Sequence, residues 1–349
     1  MTTQTSSPVI AVYGATGHTG GYQLAELRRR GLTPVLVGRD AQRLRAAAAA
    51  AELPDAEIRV AELTDHTALV AAFSGVDAVI SSLSAYVRNG EPVLAAAIEV
   101  GAHYTDLSGE QLFVKKVFDD YAAAAETAGV TVISGVTDNN VAGDLLAHLA
   151  ARRVSGPAEI VISHLSRSRG NGSKGSARTV LAGLDWFRSG GWHFADGELR
   201  TGPTARHPEI TFPGDTAPTA VAKFPQPPVL TVPRHTEVAS VEGVLAADIL
   251  DALGSFTPEL VEQLPDQPST DLRYAVVVDA HSADGRVARG IAEGVDSYRD
   301  SALLAVEVAT RLAAGTTKPG ALAPAEAFEP TEFLDSIARF GITWRIEQS

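Results

Sequence analysis

The segment Pro8-Val-Ile-Ala-Val-Tyr-Gly-Ala-Thr-Gly-His-Thr-Gly20 constrains this chain more than any other. Strand-type apolar residues run without a break into glycines at 14, 17 and 20, and a helical pattern follows. So tight a passage from strand to helix needs positions without a Cβ, so that backbone N–H groups and the positive helix end can approach an anion. Gly14, Ala15, Thr16, Gly17, His18, Thr19 and Gly20 therefore read as a cradle for the pyrophosphate of a dinucleotide. Plain strand-on-helix packing is the other use of such a turn. A second strand candidate ending in Val37-Gly-Arg39 favours the dinucleotide.

From residue 8 to about 153 strand-like and helix-like runs alternate. Strands are expected at Val9 to Tyr13, Thr33 to Val37, Ile58 to Ala61, Ala78 to Ser82, His103 to Leu107 and Val130 to Ser134. Helices are expected at Gly21 to Arg30, Ala41 to Leu53, Thr67 to Phe73, Pro92 to Val100 and Gln111 to Ala128. Strands joined by helical crossovers predict a Rossmann-type α/β fold, a doubly wound parallel sheet, over residues 1–153. Beyond it, alternation at Ala158 to Ser166, Leu272 to His281 and Arg286 to Val295 predicts strands, the last two joined by a hairpin at Ser-Ala-Asp-Gly285. With a helix around Thr179 to Phe187 and a proline-rich stretch from 203 to 233, residues 154–298 read as an α+β domain with long surface loops. Residues 299–349, with a helix at Tyr298 to Ala314, a second at Thr331 to Phe340 and a strand at Ile342 to Ile346, form a C-terminal segment.

A chain of 349 residues exceeds what one core usually supports, in keeping with two domains. The formal charge of −13, with no lysine run, disfavours nucleic acid and anionic membranes as partners. The first residues lack the basic start and apolar stretch of a secretory signal, so a cytoplasmic location is expected. No cysteine is present, which excludes disulfides, thiolate zinc and a cysteine nucleophile. The nine histidines show no HxxxH or HExxH spacing, and no metal is expected.

Where an NAD site carries a carboxylate about 20 residues past the glycines, this chain has Arg39, with Arg43 one helical turn further on. A planar guanidinium suits a 2′-phosphate, so NADP(H) is the expected cofactor. Ligands of open α/β sheets lie outside the carboxyl ends of the strands, which adds Ser82, Leu83, Ser84, Asp106, Leu107, Val136 and Thr137 to the cofactor side. Asp106 reads foremost as a residue that bonds loop amides. Tyr86 is placed to stack or to donate a proton, with simple packing as the alternative.

Gly14-Ala-Thr-Gly-His-Thr-Gly20 and Val37-Gly-Arg39, together with Asn89-Gly-Glu-Pro-Val93, Gly101-Ala-His-Tyr-Thr-Asp-Leu-Ser-Gly-Glu110, Ser301-Ala-Leu-Leu-Ala-Val-Glu-Val308 and Leu322-Ala-Pro-Ala-Glu-Ala-Phe328, resemble the saccharopine dehydrogenase-like oxidoreductases. The resemblance is to the bacterial branch of trans-acting enoyl reductases. It implies a first domain that binds NADP(H), a middle domain that covers the nicotinamide and carries a homodimer contact, and a C-terminal return. The chain departs from the family at Ser84-Ala-Tyr86, where a Gly-Pro-aromatic turn is usual, and at Val136-Thr-Asp-Asn-Asn140, where Phe-Asp-Ser-x-Pro is usual. Both loops are expected to border the substrate, through Tyr86, Asp138 and Asn139.

Ser166-Arg-Ser-Arg-Gly-Asn-Gly-Ser-Lys-Gly-Ser176 matches the position of a substrate loop of the family, with more positive charge. Ser173 and Lys174 are therefore expected at the substrate, which suits a carboxylate, and Trp186 in an apolar wall. Lys174 is a candidate proton donor with Tyr86; a solvated basic loop is the plainer reading. No tyrosine is followed four residues later by lysine, which disfavours short-chain dehydrogenase chemistry. The expected activity is an NADPH-dependent reduction of an imine or an activated C=C bond in a small or medium, secondary-metabolite-like substrate. The alternative is a non-catalytic NADP(H)-sensing regulatory protein.

Overall fold

A computed structural model describes residues 7–167, 172–202, 206–264, 268 and 273–348, arranged as two compact units. One unit comprises the residues up to Ser108, Lys116–Val136 and Ser301–Leu322; the other comprises Gly109–Lys115, Thr137–Asp300 and Ala323–Ser349.

Along the chain come β1 (Ile10–Tyr13), α1 (His18–Arg29), β2 (Val35–Gly38), α2 (Ala41–Ala50), β3 (Glu57–Val60), α3 (His66–Phe73), β4 (Ala78–Ser81), α4 (Tyr86–Asn89), α5 (Glu91–Glu99), β5 (His103–Asp106), α6 (Gln111–Lys116), α7 (Ala122–Ala128) and β6 (Thr131–Ile133). The helix expected from 111 to 128 is interrupted by a π-helical stretch at Val117–Tyr121. The described strands of the first unit form a seven-stranded parallel sheet, ordered Gly320–Ala321, β6, β5, β4, β1, β2, β3. Helical crossovers on both faces bury its strands from either side, which is why Ile10, Val12, Leu36, Val37, Val79 and Ile80 are lost to solvent and their sequences read as continuous apolar runs. The edge strand β3 is the exception, with Val60 half exposed. The seventh strand, only two residues long, carries too little pattern to be foreseen.

The second unit contributes α8 (Asp138–Ala151), β7 (Ala158–Ser166), α9 (Lys174–Ala182), α10 (Leu184–Arg188), β8 (His193–Ala195), β9 (Glu198–Arg200), β10 (Glu209–Ile210), β11 (Thr219–Lys223), α11 (Pro228–Thr231), β12 (Val238–Ala246), α12 (Ala247–Gly254), α13 (Pro258–Gln263), β13 (Tyr274–His281), β14 (Val287–Gly294) and the start of α14 (Ser297–Ala313). Its mixed sheet runs β10, β11, β12, β7, β13, β14 and Thr343–Gln348, with β8 and β9 joined at β12. Only β12 and β7 pair in parallel along this path; the other pairs are antiparallel. The expected helix at 179–187 is two helices meeting at Gly183, and the proline-rich stretch holds β10, β11 and α11. Residues 203–205 and Leu272 of the expected elements lie outside the described residues. α8 is buried over most of its length where it packs on β13 and β14. Within it the fully buried carboxylate of Asp144 accepts from the Thr231 hydroxyl at 2.5 Å, His235 Nε2 at 2.9 Å and the Ala325 N–H at 2.8 Å.

The expected C-terminal segment 299–349 is therefore divided. Residues 301–322 belong to the first unit, whereas Thr343–Gln348 finds its hydrogen-bond partner along β14 and belongs to the second. Within the first unit, α14 is fixed to α1 by Arg30, whose guanidinium lies 2.7 Å from Glu26 and 2.9 Å from Glu307. Arg29 and Arg311 flank the two carboxylates. Burial pushes the Glu26 pKa up, but the Arg29 and Arg30 guanidiniums outweigh it and hold the carboxyl below its usual range.

Arg30→Met leaves two nearly buried carboxylates facing each other without their shared cation. Loss of one partner of a buried pair usually costs several kcal/mol; with Arg29 and Arg311 still present, urea unfolding at pH 7 should show a loss of about 2–3 kcal/mol.

Candidate functional site

In the first unit the Gly14–Gly20 turn joins β1 to α1, as the spacing requires. Gly14 has φ +91°, and a Cβ there would lie 2.2 Å from the Ser82 carbonyl oxygen, while one on Gly20 would lie 2.6 Å from the Gly14 carbonyl oxygen. Those two glycines are demanded by backbone packing. Gly17 is different: it is exposed, and a Cβ would touch only the Gly14 carbonyl oxygen, at 3.4 Å. It is also the N-cap of α1, with no side-chain cap and no acidic residue in the first turn. A cradle that a side chain would fill, at a helix end left uncapped, fits a phosphate group. Thr16 is exposed, Ala15 buried, and His18 and Thr19 half-buried at the helix start, with the His18 ring edge-on to Tyr22.

Arg39 follows β2 immediately and Arg43 stands in the first turn of α2; both are exposed. Asp40, the acid nearest to them in sequence, caps α2 by accepting from the Gln42 and Arg43 N–H groups. Its charge is committed to the helix start, and two cations remain where a 2′-phosphate would lie.

Beyond β4, β5 and β6 lie the other expected cofactor positions. The half-buried Ser82 receives the close approach of Gly14, and its hydroxyl donates to Gln23 Oε1 at 2.8 Å. Leu83, Ser84 and Leu107 are half-buried, and Val136 is buried. Asp106 is fully buried and its Oδ1 accepts from the Ser108 and Gly135 N–H groups, at 2.8 and 2.9 Å. Burial pushes its pKa up to about 6, while those N–H groups and the Ser134 and Tyr104 hydroxyls draw it down. The expectation that Tyr86 stacks on a ligand or donates a proton is corrected. Its ring is only 2% exposed, its hydroxyl is committed to backbone groups, and burial followed by the nearby Asp106 charge drives its pKa well above the ordinary phenol value.

In the second unit the expected substrate residues fall into two groups. Thr137 caps α8 and donates to Asn139 Oδ1 at 2.8 Å. Beside it, Asp138 Oδ2 accepts from the Ser297 hydroxyl at 2.9 Å and lies 3.5 Å from His164 Nε2. The next residue, Tyr298, accepts from the Ser173 N–H at 2.7 Å, and its hydroxyl lies 3.0 Å from Ser176 Oγ. Ser173 caps α9, of which the half-buried Lys174 is the first residue. Asp138, Asn139, Ser173 and Lys174 thus stand around the first turns of α8, α9 and α14, whereas residues 168–171 of the same loop lie outside the described residues. Trp186 stands apart from these contacts, edge-on to Trp192 at 4.6 Å. Sequence reasoning missed His164, Tyr274, Ser297 and Asp300, which join this cluster. His164 and Tyr274 were hidden as polar positions within strand patterns. Tyr274 and Asp138 crowd Asp300, whose pKa is pushed up to about 6 chiefly by burial. Among the described residues no group of three or more His, Asp or Glu could hold a metal ion, and no helix is long and apolar enough to cross a membrane.

Comparison with known proteins gives a domain match and a fold match. Residues 10–133 match the family model "Saccharopine dehydrogenase NADP binding domain". The fold is that of saccharopine dehydrogenase (L-Glu forming) from Saccharomyces cerevisiae, which aligns over 98% of this chain and 100% of its own with a TM-score of 0.63 at 13% identity. Sequence relatives include a "Lipid droplet localized protein" of Caenorhabditis elegans, 28% identical over 50% of this chain and 44% of its own. A "Trans-acting enoyl reductase" of Mycobacterium ulcerans is 30% identical over 45% of this chain and 39% of its own. The chain thus spans less than half the length of these relatives.

Gly17→Val should leave the fold intact, since the added side chain meets little protein, yet abolish NADPH binding by filling the phosphate cradle. Circular dichroism and NADPH fluorescence titration read the two effects separately. A second expectation concerns Asp106. Its folded pKa lies above the unfolded value, so its contribution to stability is full below about pH 4 and is lost as pH rises through 6. Asp106→Asn keeps an Oδ1 acceptor and carries no charge. Relative to the parent, its melting temperature should rise between pH 4 and pH 7.5, by up to the equivalent of about 3 kcal/mol.

Proposed function

We propose that this chain, whose residues 10–133 match the saccharopine dehydrogenase NADP-binding domain, is an NADPH-dependent reductase acting on a C=C or C=N bond of a small or medium organic substrate. The observation that carries the reading is Arg39, exposed just past β2, with the nearest acid turned into a helix cap. Bound NADPH supplies the hydride. The protein's own part is to bind and to orient: the Gly14–Gly20 turn takes the pyrophosphate through backbone N–H groups, and Arg39 and Arg43 take the 2′-phosphate through charge-assisted bonds.

The names of the mycobacterial relatives support an activated C=C bond, and the fold shared with saccharopine dehydrogenase supports C=N. In the second unit, His164 Nε2 beside Asp138 and the ammonium of Lys174 are groups able to hold the proton that the reduced bond must gain. A cationic Lys174 also suits a substrate that bears a carboxylate.

Reversing the charge at position 39 tests the cofactor preference on which this reading stands. Arg39→Asp should lose about 1.5–3 kcal/mol of NADPH binding, roughly ten- to a hundredfold in affinity, while NADH binding is kept or improved. Titration with both cofactors checks it, and an unchanged NADPH/NADH ratio would remove Arg39 from the site. A panel of enones, enoyl thioesters and cyclic imines, followed by NADPH absorbance, then separates the two bond types. Tight NADPH binding with no oxidation across the whole panel would point instead to a regulatory protein that senses the cofactor.

A further inference from the structure

The strand order of the first unit reverses between β1 and β4. In sheets of this kind a dinucleotide straddles the reversal, with one mononucleotide half on either side. The adenosine half then falls to the first turn and Arg39. The nicotinamide half falls to the loops that follow β4, β5 and β6, and two buried side chains span all three loops. The Tyr86 hydroxyl donates to the Ser81 carbonyl at 2.7 Å and accepts from the Leu83 N–H at 2.9 Å and the Leu107 N–H at 3.3 Å. Asp106 Oδ1 accepts from the Ser108 and Gly135 N–H groups, so it joins the second loop to the third. Asp106 is fully buried and Tyr86 almost so, and the atoms named are committed to the loops' own backbone groups. The chain bends to place the ring: Ala85, just before it, is held at φ +53°, ψ +60°, a left-handed conformation that alanine adopts only under constraint.

We propose that Tyr86 and Asp106 are positioning residues for the nicotinamide half of NADP(H), fixing the spacing of the loops after β4, β5 and β6 without contacting the cofactor. The inference rests on the NADP(H) reading above and deepens it. A merely structural role would lower stability and weaken every part of the cofactor alike, because Ser82 also abuts Gly14. A positioning role acts on one half.

Adenosine 2′,5′-bisphosphate, which contains the adenosine half and lacks nicotinamide, separates the two roles. Calorimetric titration of this probe and of NADPH is carried out on the full chain, on Tyr86→Phe, on Asp106→Ala and on Asp106→Asn, with melting curves alongside. Tyr86→Phe removes one oxygen and leaves the ring packed. It should weaken NADPH about tenfold and the bisphosphate by less than about twofold. Asp106→Ala should behave likewise, and Asp106→Asn, which retains an acceptor, should recover most of the NADPH affinity. Equal weakening of both probes, or none in a folded Tyr86→Phe protein, overturns the proposal. Should Asp106→Ala not fold, Tyr86→Phe alone decides. A parent protein that binds the bisphosphate but not NADPH overturns the positioning role alone, whereas one that binds neither overturns the NADP(H) reading and the proposal with it.

Discussion

The first unit depends on a close approach of backbone to backbone. The turn after β1 lies so near the Ser82 carbonyl and its own Gly14 carbonyl that no side chain can be inserted at positions 14 or 20. Van der Waals exclusion at these points sets where α1 starts, how closely it packs against the sheet, and how the loop after β4 passes the turn. The phosphate cradle follows from that packing, since α1 begins at Gly17 with no side chain capping its first turn. Binding geometry is thus fixed by packing, with one position left open for the ligand.

Buried charge plays a different part in each unit. In the first, one arginine serves two carboxylates from helices far apart in sequence and is itself nearly enclosed. In the second, the carboxylate of Asp144 gathers a hydroxyl and an imidazole from the stretch 231–235 and a main-chain N–H at Ala325. A buried ionic group contributes little net free energy but strongly penalises any arrangement that leaves it unpaired, so such groups select which segments may meet. This accounts for polar side chains at positions where the helical pattern alone would allow leucine.

The parallel sheet was legible chiefly through β1, β2 and β4, which are covered on both faces and are spelled in largely apolar runs. The second sheet was legible where strands alternate, at 158–166, 274–281 and 287–294, and not at β12, where Gly243 and Glu242 interrupt the pattern in Val238–Ala246. That strand is stabilised by tertiary pairing with β7 and β11, information that no local window contains. The same limit governs the site. The turn and Arg39 were readable from spacing because one βαβ unit brings them together. For Tyr86 the sequence offered both a ligand-facing and a packed ring and could not choose between them, because the residue before it takes an unusual backbone conformation that no spacing announces. His164 and Ser297 meet Asp138 across long stretches of chain, and no spacing announces such a meeting.

One further consequence follows from the strand at Gly320–Ala321. It lies beside β6 at the rim of the first sheet, yet it is synthesised almost two hundred residues later, after nearly all of the second unit. A ribosome-bound chain that already contains β1 to β6 still exposes the unpaired edge of β6 and the apolar surface that α14 covers. Open strand edges recruit other chains. During synthesis, therefore, the dinucleotide-binding unit is an unfinished sheet held open for its last pieces, and its most vulnerable period falls while the other unit is being made.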